Sequence, residues 1–333
     1  MTTGRSPRTP PAGPPLGVHV SVAGGVATAF ERAAALGCDA IQIWVKNANQ
    51  WRARPLEKVE AAAFRTAHAA GGVGAVLAHA SYLINLAAAD PQVRALSLAA
   101  LADELERCGR LGVAGLVLHP GAHLGAGEEA GLDRAAAALD QTLAALPGLR
   151  TRVLLENTAG QGSCLGHRLE HLAALRERLP AARRRRVGIC IDTCHAFAAG
   201  YPIHEPAGWR DFVDEIAGRL GLETLGCIHV NDSLRPHGSR RDRHAHIGEG
   251  LLGLETFARL LAEPALVAVP MVVETDPGKD MAGHARDLEV LRGLVAGSTE
   301  RITSRGARRA GASSGRNTPP PPSTSGSGPG RSG

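Results

Sequence analysis

The sequence predicts a (β/α)8 barrel, the α/β architecture called a TIM barrel, with an active site at the C-terminal face of its strands. Eight short apolar runs alternate with longer stretches of helical period over about 280 residues, which matches the strand count and length of this fold. Most of these runs end at or beside a histidine, aspartate or glutamate. A doubly wound open sheet is the alternative architecture.

The predicted strands follow one another at the spacing that a barrel requires. They are residues 16–20, 40–44, 74–78, 115–119, 152–156, 187–192, 225–230 and 269–274. The stretches between them are rich in alanine, leucine, arginine and glutamate. One helix is expected to begin where Asp90 can cap it and Pro91 can take the first helical position.

Both ends of the chain differ from its middle in composition. Residues 1–15 and 299–333 are rich in Pro, Gly, Ser and Arg, so we expect two disordered tails around one folded domain, residues 16–298. Without the tails, the 37 basic and 32 acidic residues become 29 and 31, and the net charge changes from +5 to −2. The basic character of the chain is therefore no argument for nucleic-acid binding.

Cysteine usage and hydropathy indicate a compartment. The six cysteines form no Cys-x-x-Cys pair, which favours reduced and mostly buried thiols. The N-terminus shows no apolar signal segment, and no apolar run reaches the roughly 20 residues that a bilayer requires. We expect a cytoplasmic monomer that does not bind membranes.

Polar side chains stand at or near the C-terminal ends of six predicted strands. These are His79, His119, Glu156, Asp192, His229 and Glu274. In a barrel all C-terminal strand ends meet at one face, where active sites are built. Packing gives no reason for this pattern, because burying such groups without partners is costly. The six side chains are therefore expected to form one cluster.

Three further candidate ligands lie in loops near the same face. His195 follows Asp192 by three residues, which puts both on one side of a helical turn. Asp242 and His244 share one face of an extended loop in "GSRRDRHAHIGEG", although spacing alone does not separate His244 from His246. Oxygen and imidazole ligands suit catalytic zinc or manganese, and nine of them suit three ions with open positions. Such clusters favour phosphate chemistry.

Long segments of the chain resemble the endonuclease IV family of zinc-dependent apurinic/apyrimidinic endonucleases. They are "HASYLINLA", "LHPGAHLG", "LLENTAGQGSCLG", "GICIDTCHAFAAGY", "HVNDS", "GSRRDRHAHIGEG" and "VVET". The resemblance implies a phosphoric diester hydrolase for DNA repair, of the deoxyribonuclease IV type. Such an enzyme cuts double-stranded DNA 5′ to an abasic site by zinc activation of water, and leaves a 3′-hydroxyl and a 5′-deoxyribose phosphate. Removal of 3′ blocking groups is also implied.

The family pattern also implies three zinc ions, with manganese possible in part. The nine ligands would fall into three groups: His79, His119 and the bridging Glu156; Glu156 again with Asp192, His229 and Glu274; and His195, Asp242 and His244. Catalytic roles would fall to Glu156, Asp192 and Glu274. The pattern assigns the metal to His244 rather than to His246.

Loops at the same face are expected to contact DNA. The candidates are His19, Asn49, Arg52, Tyr82, Leu83 and Arg243. Tyr82 and Leu83 resemble family residues that enter the duplex at the lesion, whereas Asn49 stands where some relatives carry arginine. Lys46 is a further candidate for phosphate binding. An abasic nucleotide leaves the base stack at low cost, which is one source of selectivity.

Two other functions fit parts of this pattern. A sugar or sugar-acid isomerase can use a similar metal-dependent barrel, but it needs fewer metals and a base for proton transfer. A damage-sensing DNA-binding protein without catalysis is expected to lack at least one ligand, and all nine are present here.

Overall fold

Eight parallel strands close into a barrel, as predicted. The computed structural model describes residues 13–313, with side chains up to residue 297. The ten strands among these residues are β1 Leu16–His19, β2 Ala40–Trp44, β3 Ala75–His79, β4 Gly115–Leu118, β5 Arg152–Glu156, β6 Val187–Asp192, β7 Leu225–His229, β8 Asp232–Ser233, β9 His244–Ala245 and β10 Met271–Val273. The barrel order is β1 to β7 followed by β10, which closes on β1, while β8 and β9 form a small antiparallel hairpin.

Helices connect the strands of the barrel. They are α1 Ala29–Leu36, α2 Lys58–Gly71, α3 Pro91–Leu111, α4 Glu128–Ala145, α5 Leu169–Glu177, α6 Ala181–Arg184, α7 Thr193–Ala199, α8 Pro206–Arg219, α9 Leu254–Leu261 and α10 Ala282–Ser313. The start of α3 follows the sequence: the Asp90 carboxylate accepts hydrogen bonds from the backbone of Gln92 and Val93, and Pro91 is the first helical residue. Such a cap contributes about 1 kcal/mol.

Apolar side chains fill the inside of the barrel below its C-terminal face. They are Leu77, Val117, Leu154, Cys190, Cys227 and Val272. Leu154 needs a neighbour without a side chain, because a Cβ on Gly226 would lie 2.5 Å from Leu154 Cδ2. The larger apolar core lies between the strands and the helices. The polar residues at the strand ends therefore lie above a packed apolar layer, which keeps them at the barrel mouth.

The ends of the described region bear on the predicted domain boundaries. Residues 1–12 and 314–333 lie outside the described residues, so most of both predicted tails stays a sequence-based expectation. Helix α10 runs to Ser313, beyond residue 298, where the folded domain was expected to end. Within the described residues, no helix combines the length and the apolar character needed to cross a membrane.

Candidate metal centre

Glu156 stands at the centre of the barrel mouth, at the end of β5. Its Oε2 atom lies 3.2 Å from Nε2 of His79 and 3.1 Å from Nε2 of His119. Its Oε1 atom lies 3.1 Å from Nδ1 of both His195 and His229. The carboxylate is fully buried, with two imidazole rings at each oxygen. This is the geometry of a carboxylate that can bridge two cations.

A second group of ligands continues from the Oε1 side of Glu156. Nδ1 of His229 lies 3.0 Å from Oε2 of Glu274 and 3.9 Å from Oδ2 of Asp192. These side chains come from the ends of β5, β6, β7 and the residue after β10, so four neighbouring strands supply them. The convergence at one face follows directly from the parallel barrel.

A third group joins the β6 end to the β8–β9 hairpin. Nε2 of His195 lies 3.1 Å from Oδ2 of Asp242. Nε2 of His244 lies 3.3 Å from Oδ1 of Asp242 and 3.6 Å from Oδ2 of Asp192. The structure thus brings all nine candidate ligands into one continuous cluster. Their roles as metal ligands remain a prediction.

The hydrogen bonds of two histidines test whether cations fit this cluster. His79 Nδ1 lies 2.8 Å from the carbonyl of Ala80, and His229 Nε2 lies 2.9 Å from Oε1 of Gln42. Because these acceptors need an N–H donor, the neutral rings turn the lone pair of their other nitrogen toward the Glu156 carboxylate. A lone pair facing a carboxylate is repulsive unless a proton or a cation lies between them.

Two further observations support a cation at this place. His244 Nε2 is buried and has no hydrogen-bond partner among the described residues, although it faces two carboxylates. Ligand atoms of His79, His119 and Glu156 lie within 4.8 Å of one another, as do those of Asp192, His195 and His244. Nitrogen and oxygen donors in this number suit zinc, so the residues fit the predicted cofactor.

The charges of the cluster depend on one another. Burial disfavours the charged form of Glu156, but His119 and His229 outweigh this effect and hold its pKa well below the usual value. Burial likewise opposes protonation of His195, yet the carboxylates of Asp192, Asp242 and Glu156 raise its pKa well above the usual value. Without metal, protonated histidine rings balance the charge of the carboxylates. A bound cation replaces those protons, so metal uptake releases protons.

Three buried amides hold the candidate ligands in place, and none of the three was predicted from the sequence. Nε2 of Gln42 donates to Oε1 of Glu274 at 2.6 Å, in addition to the bond from His229. Asn231 donates to Oδ2 of Asp192 at 2.7 Å and accepts from the backbone N–H of Glu274 at 2.8 Å.

Asn157 is the third of these amides, and it holds the backbone at Asp192. Its Oδ1 accepts from the backbone N–H of Asp192 at 2.6 Å. The signal for these residues is present in the sequence as polar side chains inside otherwise apolar or ligand-bearing runs, in "AIQIW", "LLENT" and "CIHVND". Fixing ligands in this way typically changes metal affinity by about ten- to a hundredfold.

The structure separates His244 from His246, which the sequence spacing does not. His244 lies on β9 and faces Asp192 and Asp242. His246 turns away, because its Nδ1 lies 2.9 Å from Oδ2 of Asp287 on α10. The strand ends at Ala245, so the alternation of side chains that would align the two histidines does not continue.

We expect His244→Ala to lower the bound metal by about one ion per chain, because His244 is one of three candidate ligands of the third ion. His246→Ala is the matched control and should retain the full metal content, since His246 bonds to Asp287 instead. Elemental analysis of both purified variants beside the unaltered protein measures this difference. Equal metal loss in the two variants would contradict the assignment.

The candidate DNA-contacting residues differ in exposure. Asn49, Arg52 and Arg243 are exposed, and Tyr82 is 62% exposed, with its ring edge-on to Trp44. The remaining two candidates, Leu83 and His19, are half-buried.

His19 and Lys46 make internal contacts that the sequence did not predict. His19 packs against the candidate ligand cluster, with Nδ1 3.1 Å from Nε2 of Gln42 and 3.7 Å from Oε1 of the candidate ligand Glu274. Lys46, expected to bind phosphate, is instead buried and ion-paired with Glu104, because α3 covers it. A cavity of about 190 Å³ opens beside His119, His195 and other residues of the mouth.

The fold and the site together define a class of protein, the (β/α)8 barrels with a histidine–carboxylate cluster at the barrel mouth. A family model described as "Xylose isomerase-like TIM barrel" matches residues 30–294. "Probable endonuclease 4" of Chloroflexus aurantiacus is 50% identical over 285 residues, covering 86% of this chain and 99% of that protein. The chain belongs to the endonuclease IV family.

Solved structures agree with this assignment. Endonuclease IV from Thermus thermophilus superposes with a TM-score of 0.76 at 38% identity, covering 85% of this chain and 99% of that chain. A D-tagatose 3-epimerase-like protein has a TM-score of 0.67 at 20% identity, covering 86% of this chain and 99% of that one, and this likeness shows the fold alone.

Proposed function

We propose that the protein is a DNA-repair endonuclease that hydrolyses the phosphodiester on the 5′ side of an abasic site. The products are a 3′-hydroxyl and a 5′-deoxyribose phosphate, and the same site removes 3′ blocking groups. One observation carries the proposal: the buried Glu156 and eight further histidine and carboxylate side chains form one cluster, in a chain that is 50% identical over 285 residues to a protein named endonuclease 4.

The cofactor in this proposal is a group of three zinc ions, with manganese possible in part. Three groups of residues would hold them. They are His79 and His119 with Glu156; Asp192, His229 and Glu274 with Glu156; and His195, Asp242 and His244. Bound divalent ions of this kind lower the pKa of water toward about 7 and neutralise the attacking and leaving oxygens of a phosphodiester.

The protein's own residues set the charge and the geometry of the site. Glu156, Asp192 and Glu274 supply the central negative charge, and their neighbours fix them in place. Gln42 and Asn231 both bond to Glu274, and Asn231 also bonds to Asp192, so these carboxylates keep one orientation. A site that is organised before substrate binds does not spend binding free energy on ordering itself.

Duplex DNA with an abasic or 3′-blocked lesion is the proposed substrate. Asn49, Arg52 and Arg243 are exposed at the same face and are available to contact the backbone. Tyr82 and Leu83 are the proposed contacts to the base stack at the lesion, and His19 is a proposed contact close to the metals. We further propose that the protein acts as a cytoplasmic monomer.

A sugar isomerase is the main alternative, and the epimerase-like fold neighbour is compatible with it at the level of fold. The number of ligands argues against it, because such a site needs one or two ions rather than a nine-ligand cluster. A metal content near one or two ions per chain would favour the isomerase.

Removal of metal tests the proposal. Prolonged chelation of the purified protein should lower incision of a duplex with a single abasic site by more than about a hundredfold, since the ions supply the electrostatic part of catalysis. Re-addition of zinc should restore activity. A matched duplex without the lesion serves as the control substrate, and unchanged incision after verified metal loss would sink the proposal.

A further inference from the structure

A buried ion pair lies beneath the loops that face the proposed DNA. Nζ of Lys46 lies 3.3 Å from Oε1 of Glu104 on α3, and both side chains are only 1% exposed. Nζ also donates to the carbonyl of Trp51 at 3.0 Å. Lys46 therefore closes its own loop, residues 46–55 after β2, and attaches that loop to α3. We call this segment the β2 loop.

Glu104 binds the neighbouring loop at the same time. The backbone N–H of Ser81 donates to Oε2 of Glu104 at 3.1 Å. The Ser81 hydroxyl donates to the carbonyl of Ala48 in the β2 loop at 2.5 Å, and it accepts from the backbone N–H of Leu83 at 3.2 Å. Residues 80–90 after β3, the β3 loop, are thus joined to the β2 loop through one carboxylate and one hydroxyl.

Stability alone does not account for a charged pair at this position. Removing two ions from water costs about as much as their attraction returns, so an apolar pair of similar volume would pack there at no loss. The charged pair instead fixes the positions of the two loops, because each charged group makes a further hydrogen bond to a specific loop. The two loops meet at a fixed separation as a consequence.

The residues that this arrangement fixes are the exposed ones at the mouth. Tyr82 lies between Ser81 and Leu83, both of which are bonded in the network, so an exposed ring stands on an immobilised backbone. Asn49 lies next to Ala48, whose carbonyl accepts from Ser81. Surfaces ordered before binding avoid the entropy cost of ordering on the DNA.

We propose that Lys46 and Glu104 are positioning residues for substrate binding, which hold the β2 and β3 loops in register so that both meet the same lesion. This inference rests on the proposed function. Among the described residues, neither side chain forms a hydrogen bond or an ion pair with any of the nine candidate ligands. The pair acts on the binding of duplex DNA and leaves the chemistry at the metal centre unchanged.

Steady-state kinetics of Glu104→Gln, Lys46→Met and the double variant test this inference. We expect KM for a duplex with one abasic site to rise about tenfold in each single variant, with kcat changed less than about twofold. Hydrolysis of the small ester bis(p-nitrophenyl) phosphate and the metal content should stay unchanged. The loss in the double variant should be smaller than the product of the single losses, because it leaves no unpaired charge.

Two further variants keep the test decisive. Ser81→Ala removes only the hydroxyl between the loops, and a smaller rise in KM is expected for it. Leu105→Ala creates a cavity on the same helix and removes no hydrogen bond to either loop, so it should lower thermal stability and leave KM unchanged.

The possible outcomes are distinct. An unchanged KM in Glu104→Gln and Ser81→Ala, or a parallel loss of small-ester hydrolysis, would overturn the positioning role. Absence of incision by the unaltered enzyme would overturn the proposed function, and this inference would fall with it.

Discussion

Replacing Glu156 by glutamine is expected to lower incision at an abasic site by about a thousandfold or more. Glutamine keeps the shape of the side chain but removes the charge that faces four imidazole rings at 3.1 to 3.2 Å. A neutral amide also presents an N–H₂ group on one side, which cannot bind a cation. Metal content should fall together with activity, since this carboxylate is shared between two proposed ions.

Glu249→Gln provides the matched control for this substitution. Glu249 is exposed and ion-paired with Arg286, and it lies outside the cluster. The same chemical change there should leave incision and metal content as they are. Single-turnover incision and elemental analysis measure both quantities. A Glu156→Gln enzyme with full metal content and near-normal incision would refute the central role of Glu156.

Replacing Asp232 by asparagine is expected to lower the free energy of unfolding by about 1–3 kcal/mol, because two of the four backbone N–H donors around this carboxylate lose their acceptor. Oδ1 of this buried carboxylate accepts from the backbone of Ser233 and Leu252. Oδ2 accepts from the backbone of Gly248 and Gly250, each at 3.1 Å. An asparagine presents an acceptor to one pair and an N–H₂ group to the other.

The same substitution should also weaken the third metal site. Asp232 lies on β8, which pairs with the strand that carries His244, so a loosened loop moves this ligand. The backbone of Gly250 lies so close to the Asp232 carboxylate that a Cβ on Gly250 would be 2.4 Å from Asp232 Oδ1.

The control for this substitution is Asp276→Asn, since Asp276 is exposed and its carboxylate accepts from the backbone of Gly278 in a turn. Chemical denaturation and metal analysis of both variants measure the effects. Equal stability of the two variants would contradict the role of Asp232.

The strands and the candidate ligands were accessible to sequence reasoning because both depend on local pattern. The predicted strands agree with the observed ones to within two residues at their ends, and β3 ends on His79 itself rather than before it. A buried parallel strand needs a continuous apolar run, and such runs are visible in any sequence. A charged residue at the end of such a run is equally visible.

The supporting residues were not accessible in the same way. Asp232 and Asp287 read as ordinary acidic residues, yet both are fully buried and each holds a loop through hydrogen bonds to distant backbone or side-chain groups. Lys46 reads as a phosphate ligand in a basic loop, and only its contact with α3 shows that it is an internal ion pair. Hydrogen-bond and ion-pair partners more than ten residues away along the chain produce no periodic pattern in the sequence.

The sequence by itself therefore determined the barrel, the face that carries the site and the chemical type of its nine candidate ligands. Tertiary structure decided how Gln42, Asn157 and Asn231 orient the candidate ligands and how the two mouth loops are joined. It also gave the physical reason why His244 rather than His246 faces the cluster, a choice that spacing left open and the family resemblance implied. The physical reason is one of range. Strand identity and side-chain alternation are set by neighbours along the chain, whereas the direction of a loop side chain is set by hydrogen-bond partners that only the closed barrel brings near.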